Sequence, residues 1–511
     1  MKMKRTLAWL LALAMALTLA ACGGNNSQSN QGDTGDGNDA ARTDLNVKLG
    51  PITTYDPFEA YSSDQHSVMS AVYATLLRIG YVDGEPQCVG VLADSWEQEE
   101  DGLVWVFHLN EDATFSNGEP ITPEDVKFSM EMSKASPYQA SYTGMIEEVE
   151  IRDEHTVALR VSGYDISLPW VWNYTYIVDQ ESYEADPAAY AKAPAASGPY
   201  TVESMDEATG NMVLQRREDY WGDMPSVKTV NIRIISDTDT ALIALEGGEV
   251  DVMSVQAQYV DQLSGKENLA LTEQPNNAMG GLFLNCQAEP WNNVKIRQAA
   301  AYAVNYEAMR NFLYAGHVSS ESTIPYNSTV DPLPEGIPEY TYDVEKAKEL
   351  VAESGLATPI DGGAIIGTSG GEGEMLQQYL AAIGINIEIL ELGGGDYVNA
   401  LVSSDFSLAM IPGASSAVRG GSLIANSFSS TGSFNYALYS NPEVDALAAE
   451  LTSLQDETAY QEKLKEAVSI VAEEAPVISF GCMQYYMGHA KDLYVPACLN
   501  AELYIPGCYW E

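Results

Sequence analysis

From Leu45 to Glu511 the chain carries strand-like and helix-like apolar patterns with no low-complexity break. Single hydrophobic cores stop growing at about 250–300 residues, so this stretch predicts two or three lobes. The strand-like runs are "LVWVFHL" (103–109), "TVALRV" (156–161), "KTVNIRII" (228–235), "GLFLN" (281–285), "INIEIL" (385–390) and "APVISF" (475–480). Amphipathic helices with legible ends lie between them. Thr122-Pro123-Glu124-Asp125 supplies a cap, a proline at the first helical position and acids in the first turn. Asp343 precedes a stripe of Val344, Ala347, Leu350 and Val351, and Gly355 ends that helix. Asn441-Pro442 opens another, with Val444, Leu447, Leu451 and Leu454 on one face. These stripes are core and carry no chemistry. Strands and helices alternate across 281–480, the pattern of an α/β lobe, while the first half is richer in strands and turns.

The N-terminus has a different character. Lys2, Lys4 and Arg5 precede a nearly continuous apolar run over 6–20, the layout of a secretory signal in residues 1–21. That run is shorter than the roughly 20 residues a spanning helix needs. Leu19-Ala20-Ala21-Cys22 resembles a bacterial lipobox, which implies cleavage before Cys22, acylation of its thiol and anchorage on the extracytoplasmic face of the membrane. Residues 22–44, rich in Gly, Asn, Ser and Asp, have no apolar period and read as a flexible tether. Twenty such residues reach about 25 Å on average. The chain holds 25 Lys+Arg against 73 Asp+Glu, a net charge of −48. An anionic membrane repels such a body only within a screening length of about 8 Å, so the tether is long enough to hold it clear. The same charge excludes nucleic acid as a partner.

Chemistry-bearing residues are sparse. The five histidines show no metal-ligand spacing, and neither a metal nor any other cofactor is indicated. With Cys22 acylated, Cys88, Cys286, Cys482, Cys498 and Cys508 remain; at least one is unpaired, and Cys498 could pair with Cys508. One pentapeptide, Gly367-Thr368-Ser369-Gly370-Gly371, fits the G-x-S-x-G turn of serine hydrolases, with Asp445 and His489 following in the order of a triad. Against a nucleophile stand the abundance of acids, the absence of an HGGG-type oxyanion element and the frequency of glycine.

Several blocks, in order, resemble the family-five extracellular solute-binding proteins, the peptide- and nickel-type receptors of ABC importers. They are "GVLADSWEQEEDGLVWVFHLNEDATFSNGEPITPEDVKFSME", "SGPYTVESMDEATGNMVLQRREDYWGDMPSVKTVNIRII", "ALIALEGGEVDVM", "LFLNCQAEPWNNVKIRQAAAYAVNYEAM", "YDVEKAKELVAESG" and "YSNPEVDALAAEL". The resemblance implies a two-lobed α/β clamp of the periplasmic-binding-protein type. Lobe I would be 45–275 plus 481–511, with an extra subdomain at 82–195, and lobe II would be 276–480. The crossings near 275–282 and 478–484 would be the hinge. It further implies a monomeric receptor without enzymatic activity, which captures a peptide or peptide-like solute by closure and passes it to membrane permease subunits. A metallophore or an oligosaccharide is the alternative ligand, and a secreted serine hydrolase using Ser369 the alternative class.

On that map, Ser369 and Gly370 become a cleft-lining turn, where a strand end meets a helix N-terminus suited to anions and polar groups. Asn276 and Asn277 fall at one hinge crossing and Tyr486 beyond the other, while Tyr61 follows "YDPFEA", a segment bordering the ligand in this family. In the loop "DFSLAMIPGASSAVRGGS" (405–422) no acid follows Asp405, where family members carry one that grips a peptide's amino group; Ser415, Ser416 and Arg419 stand there, and Arg419 would suit a carboxylate. "LPWVWNYTY" (168–176) reads as a strand with Trp170, Trp172, Tyr174 and Tyr176 on one face, packed in the core or, less simply, forming a stacking wall.

Overall fold

The computed structural model describes residues 42–511, apart from Thr53, Asp83, 165–167, Ser369, Gly393, 417–418 and 500–501. Cys22 and residues 23–41 of the tether therefore lie outside the described residues, whereas Arg42, which pairs with Asp251, and Asp44, which opens the first strand, correct the tether's expected end at 44. Three sheets organise the body. The largest has seven strands, in the order Leu269–Gln274, Tyr485–Ala490, Val252–Val255, Asp44–Leu49, Thr229–Ile234, Met212–Arg216, Tyr200–Met205. Its first strand, Asp44–Leu49, alternates half-buried and buried residues and runs parallel to Thr229–Ile234. Leu45, Val47 and Leu49 point into a core shared with Val230, Ile232 and Tyr200.

A second sheet has five strands, in the order Ile385–Ile389, Ile360–Ile366, Leu408–Ser416, Ala278–Leu284, Val477–Ile478. Ala278–Leu284 is buried along nearly its whole length, as expected of a central strand covered on both faces. One face carries Val294–Ala303, Val344–Glu353 and Glu372–Ala381; the other packs on Pro442–Ser453 and Glu457–Glu474. The stripes Ala347/Leu350/Val351 and Val444/Leu447/Leu451 read from the sequence are buried in these two cores. The four-stranded antiparallel sheet Ala93–Glu99, Val104–Leu109, Thr156–Val161, Ile146–Asp153 has a core of its own around Trp105, Phe107 and Trp172.

The stretch 168–176 corrects the strand expectation. It forms a helical turn, Leu168–Val171, followed by a 3₁₀ turn, Trp172–Tyr174. Trp172 is fully buried, edge-on to Trp105 and Phe107. Burying so large a ring against two partners outweighs the β preference of the aromatic run. All five described cysteines are free thiols, so Cys498 and Cys508 are not paired. Among the described residues no helix is long and apolar enough to cross a membrane, and no group of three or more His, Cys, Asp or Glu is arranged to hold a metal.

Candidate functional site

In chain order, the strands of the seven-stranded sheet give way to those of the five-stranded sheet at residues 275–277 and return at 479–484. The two crossings are tied to each other. Asn276 Nδ2 donates to the Met483 carbonyl at 2.7 Å, and its Oδ1 accepts from the Ala278 N–H at 2.7 Å. Gln484 Nε2 donates back to the Gln274 carbonyl at 2.9 Å. Asn277 is buried and donates to Thr329 Oγ1 at 2.9 Å, while Asn327 Nδ2 bridges the carbonyls of Asn276 and Ala278. Asn276 and Asn277, expected at a ligand, thus hold the crossings together.

Beside the second crossing, His317 links the two sheets' halves. Its Nδ1 lies 3.4 Å from Tyr486 Oη, the two rings meeting edge to face, and its Nε2 is 3.5 Å from Asp261. Tyr486 is buried and reaches this histidine rather than standing free.

Tyr61 stands out in the opposite sense. It is 57% exposed and stacks on Tyr138, itself 50% exposed, with centroids 5.5 Å apart and planes at 22°. Local chemistry fixes both. Ser62 caps the helix Ser63–Val72 in a capping box, and the Gln65 side chain accepts from the N–H groups of Tyr61 and Ser62. Tyr138 follows the helix Pro123–Ala135, where Ser136 Oγ accepts its N–H at 3.1 Å. An exposed, pre-stacked aromatic pair is unusual on a soluble surface and suits recognition. Tyr138 was not among the sequence candidates; "SPY" directly after a capped helix is the signal for it.

On the five-stranded side, Ile360–Ile366 ends at Gly367, whose φ is +79° and where a Cβ would lie 2.4 Å from the Met410 carbonyl oxygen. Only glycine fits there. Ser369 lies outside the described residues. Gly370 is exposed, and Gly371 caps the helix Glu372–Ala381 without a side-chain hydrogen bond. Phe312, 49% exposed, lies across this turn, 3.2 Å from where a Cβ on Gly371 would be. Glu372 and Glu374 stand in the first turn, and Glu372 Oε2 comes within 2.9 Å of a Cβ position on Gly370. The expectation of an anion site is corrected by these acids, which favour an ammonium or a hydroxyl at this helix end.

Ser415 belongs to the strand Leu408–Ser416 and pairs with Met279. Arg419 is buried. Its Nε donates to Asp331 at 2.9 Å, its Nη2 to both Glu457 oxygens at 3.0 and 3.1 Å, and its guanidinium lies over Tyr460. Burial works against its charge, but Asp331, Tyr460 and Glu457 more than offset it and raise its pKa. The free guanidinium expected for a ligand carboxylate is therefore corrected: Asp331 and Glu457 already occupy it. The two other residues of the alternative triad do not meet. Asp445, on Pro442–Ser453, accepts from Ser430 N–H and Oγ, whereas His489, within the seven-stranded sheet, bonds Thr272 and the Ala490 carbonyl.

The family model for bacterial extracellular solute-binding proteins, family 5 (middle region) matches residues 87–435. The chain belongs to this family. It is a solute-binding protein, not an enzyme. The glutathione-binding protein GsiB of Salmonella paratyphi A is 24% identical over 511 residues, covering 95% of each chain. Among solved structures, HbpA2 from Haemophilus parasuis superposes with a TM-score of 0.80 at 20% identity, covering 92% of this chain and all of the other. The periplasmic binding protein DppA from Helicobacter pylori, in complex with the peptide STSA, gives 0.75 at 21%, covering 92% and 98%. These likenesses establish the family-five clamp architecture, with mixed α/β sheets.

Proposed function

We propose that this solute-binding protein is the extracytoplasmic receptor of an ABC importer, anchored by a lipid on Cys22, and that it closes on a small peptide such as a glutathione-like tripeptide. The observation that carries the reading is the pair of tied crossings between two independently cored halves, a joint that lets the halves rotate while keeping register. The Tyr61–Tyr138 pair offers a stacking platform on one side. The turn at Gly370, with Phe312 beside it and Glu372 behind it, offers an acidic polar end on the other, matched to a peptide's ammonium. That match compensates for the missing acid in 405–422. The name of GsiB supports a thiol tripeptide as the first ligand to try.

Calorimetric titration of the purified protein with glutathione and with alanine tripeptides tests this. Saturable binding, weakened at least tenfold by Tyr61→Ala, is expected. Binding of oligosaccharides or metal chelates with no response to any peptide would overturn the ligand class.

A further inference from the structure

The half built on the seven-stranded sheet contains a cavity of about 360 Å³. All of its described lining comes from residues 66–91, 173–220 and 494–507, so it is separate from the space between the halves. One face of the helix Ser63–Val72, the hairpin Leu77–Val82/Glu85–Gly90 and the C-terminal segment bound it. Gly84 and Tyr494, both exposed, mark its mouth.

Its chemistry is specific. The hydroxyls of Tyr73 and Tyr81 are shielded from bulk water and reach no hydrogen-bond partner among the described residues. Tyr73 is only 3% exposed. Buried phenols ordinarily find partners, and two orphans lining one cavity point to a group that both could meet. Tyr174 Oη donates to Glu502 Oε1 at 2.9 Å. Burial pushes the Glu502 carboxyl up to about 8, so at neutral pH it can donate as well as accept. Burial also pulls His66, 2.9 Å from Tyr176 Oη, down to about 4, which keeps it neutral. One fixed charge remains. Arg78 lies over the Tyr504 ring, 4.6 Å from its centroid, donates weakly to the Ile79 carbonyl, and makes no ion pair among the described residues. A cavity of this size sits at the lower end of the range for small-molecule sites, enough for a ligand the size of an aromatic amino acid.

We propose that this cavity is a second ligand site, which takes a small aromatic monocarboxylate with its carboxylate on Arg78, its ring among the tyrosines and a polar substituent on Tyr73, Tyr81 and Glu502. The Arg78 guanidinium supplies the planar fork that carboxylates prefer. The orphan hydroxyls select a ligand bearing a polar substituent over a plain hydrocarbon ring. The site is independent of solute capture between the halves.

Fluorine NMR on the purified full chain tests this with two probes, 4-fluorobenzoate and 5-fluoroindole-3-acetate. At least one is expected to bind saturably, at least tenfold more weakly in Arg78→Ala and in the cavity-filling Ser70→Leu. Tyr81→Phe, which removes one oxygen and keeps the volume, is the variant to read if Ser70→Leu does not fold; it should weaken binding severalfold for a probe with a polar ring atom. Tyr61→Ala should change nothing here. No saturable binding of either probe would mean a cavity holding solvent only and would overturn the proposal. So would unchanged affinity in Arg78→Ala, or loss in Tyr61→Ala, which would place the probe between the halves.

Discussion

Arg419, buried, and Glu502, half-buried on a cavity wall, are two ionisable residues accommodated in different ways. Arg419 is compensated on each side, and its partner Asp331 also accepts from the Gly420 N–H, Tyr460 Oη and Gln461 Nε2. Truncating the arginine leaves Asp331 buried without its cation, which costs about 3–5 kcal/mol. Arg419→Ala is therefore expected to unfold at markedly lower urea while the refolded fraction binds solute normally. Glu502 makes no ion pair among the described residues. Tyr81, Tyr142, Tyr174, Tyr176 and Cys498 surround it, and burial raises its pKa from the ordinary value to about 8. Between the unfolded carboxylate pKa and about 8 the folded state holds a proton that the unfolded chain has released, so stability falls as pH rises, by up to about 1.4 kcal/mol per unit. Glu502→Gln removes that term. Its melting temperature should gain on the wild type between pH 5 and pH 8, as thermal melts across that range would show; parallel profiles would refute the assignment. From the sequence Arg419 was singled out for a carboxylate, but its partners proved to be the chain's own Asp331 and Glu457, and Glu502 was not singled out at all. The partners of Arg419 lie 88 and 38 positions away, and Tyr174, which bonds Glu502, lies 328 positions before it.

At the scale of elements, what the sequence showed was what local chemistry decides. "TVALRV" is the strand Thr156–Val161 and "INIEIL" contains Ile385–Ile389. Thr122 caps its helix as its position predicts, with Asp125 closing a capping box, and Asp343 and Asn441 cap theirs. Tertiary context overrode local preference elsewhere. "APVISF" keeps only Val477–Ile478 as strand because the chain leaves the five-stranded sheet there for the crossing. Asn276 and Asn277 were found by position, yet their hydrogen-bond partners, at Met483 and Thr329, belong to segments no periodicity connects. The crossing supplies a prediction of its own. Asn276→Ala loses contacts to Met483 and Ala278, each hydrogen bond being worth about 1 kcal/mol. Amide exchange at residues 275–278 and 482–485 is expected to quicken severalfold, with exchange in the two sheet cores unchanged; uniform acceleration would mean a global loss of stability instead.

For the whole molecule, the α/β class and the family were open to inspection of the sequence, because an ordered set of loose motifs is specific where each alone is not. The Tyr61–Tyr138 platform and the approach of Phe312 to the Gly370 turn needed three dimensions, since each joins residues from separate elements, whereas Glu372 and Glu374 stand beside Gly370 in the sequence itself. The central claim is that two halves joined at tied crossings close on a peptide-like solute. Small-angle scattering of the purified protein with and without saturating glutathione tests it most directly. A smaller radius of gyration is expected with ligand, and a smaller decrease in Tyr61→Ala at a ligand concentration that just saturates the wild type. Calorimetrically confirmed binding with an unchanged scattering profile in the wild type would contradict it.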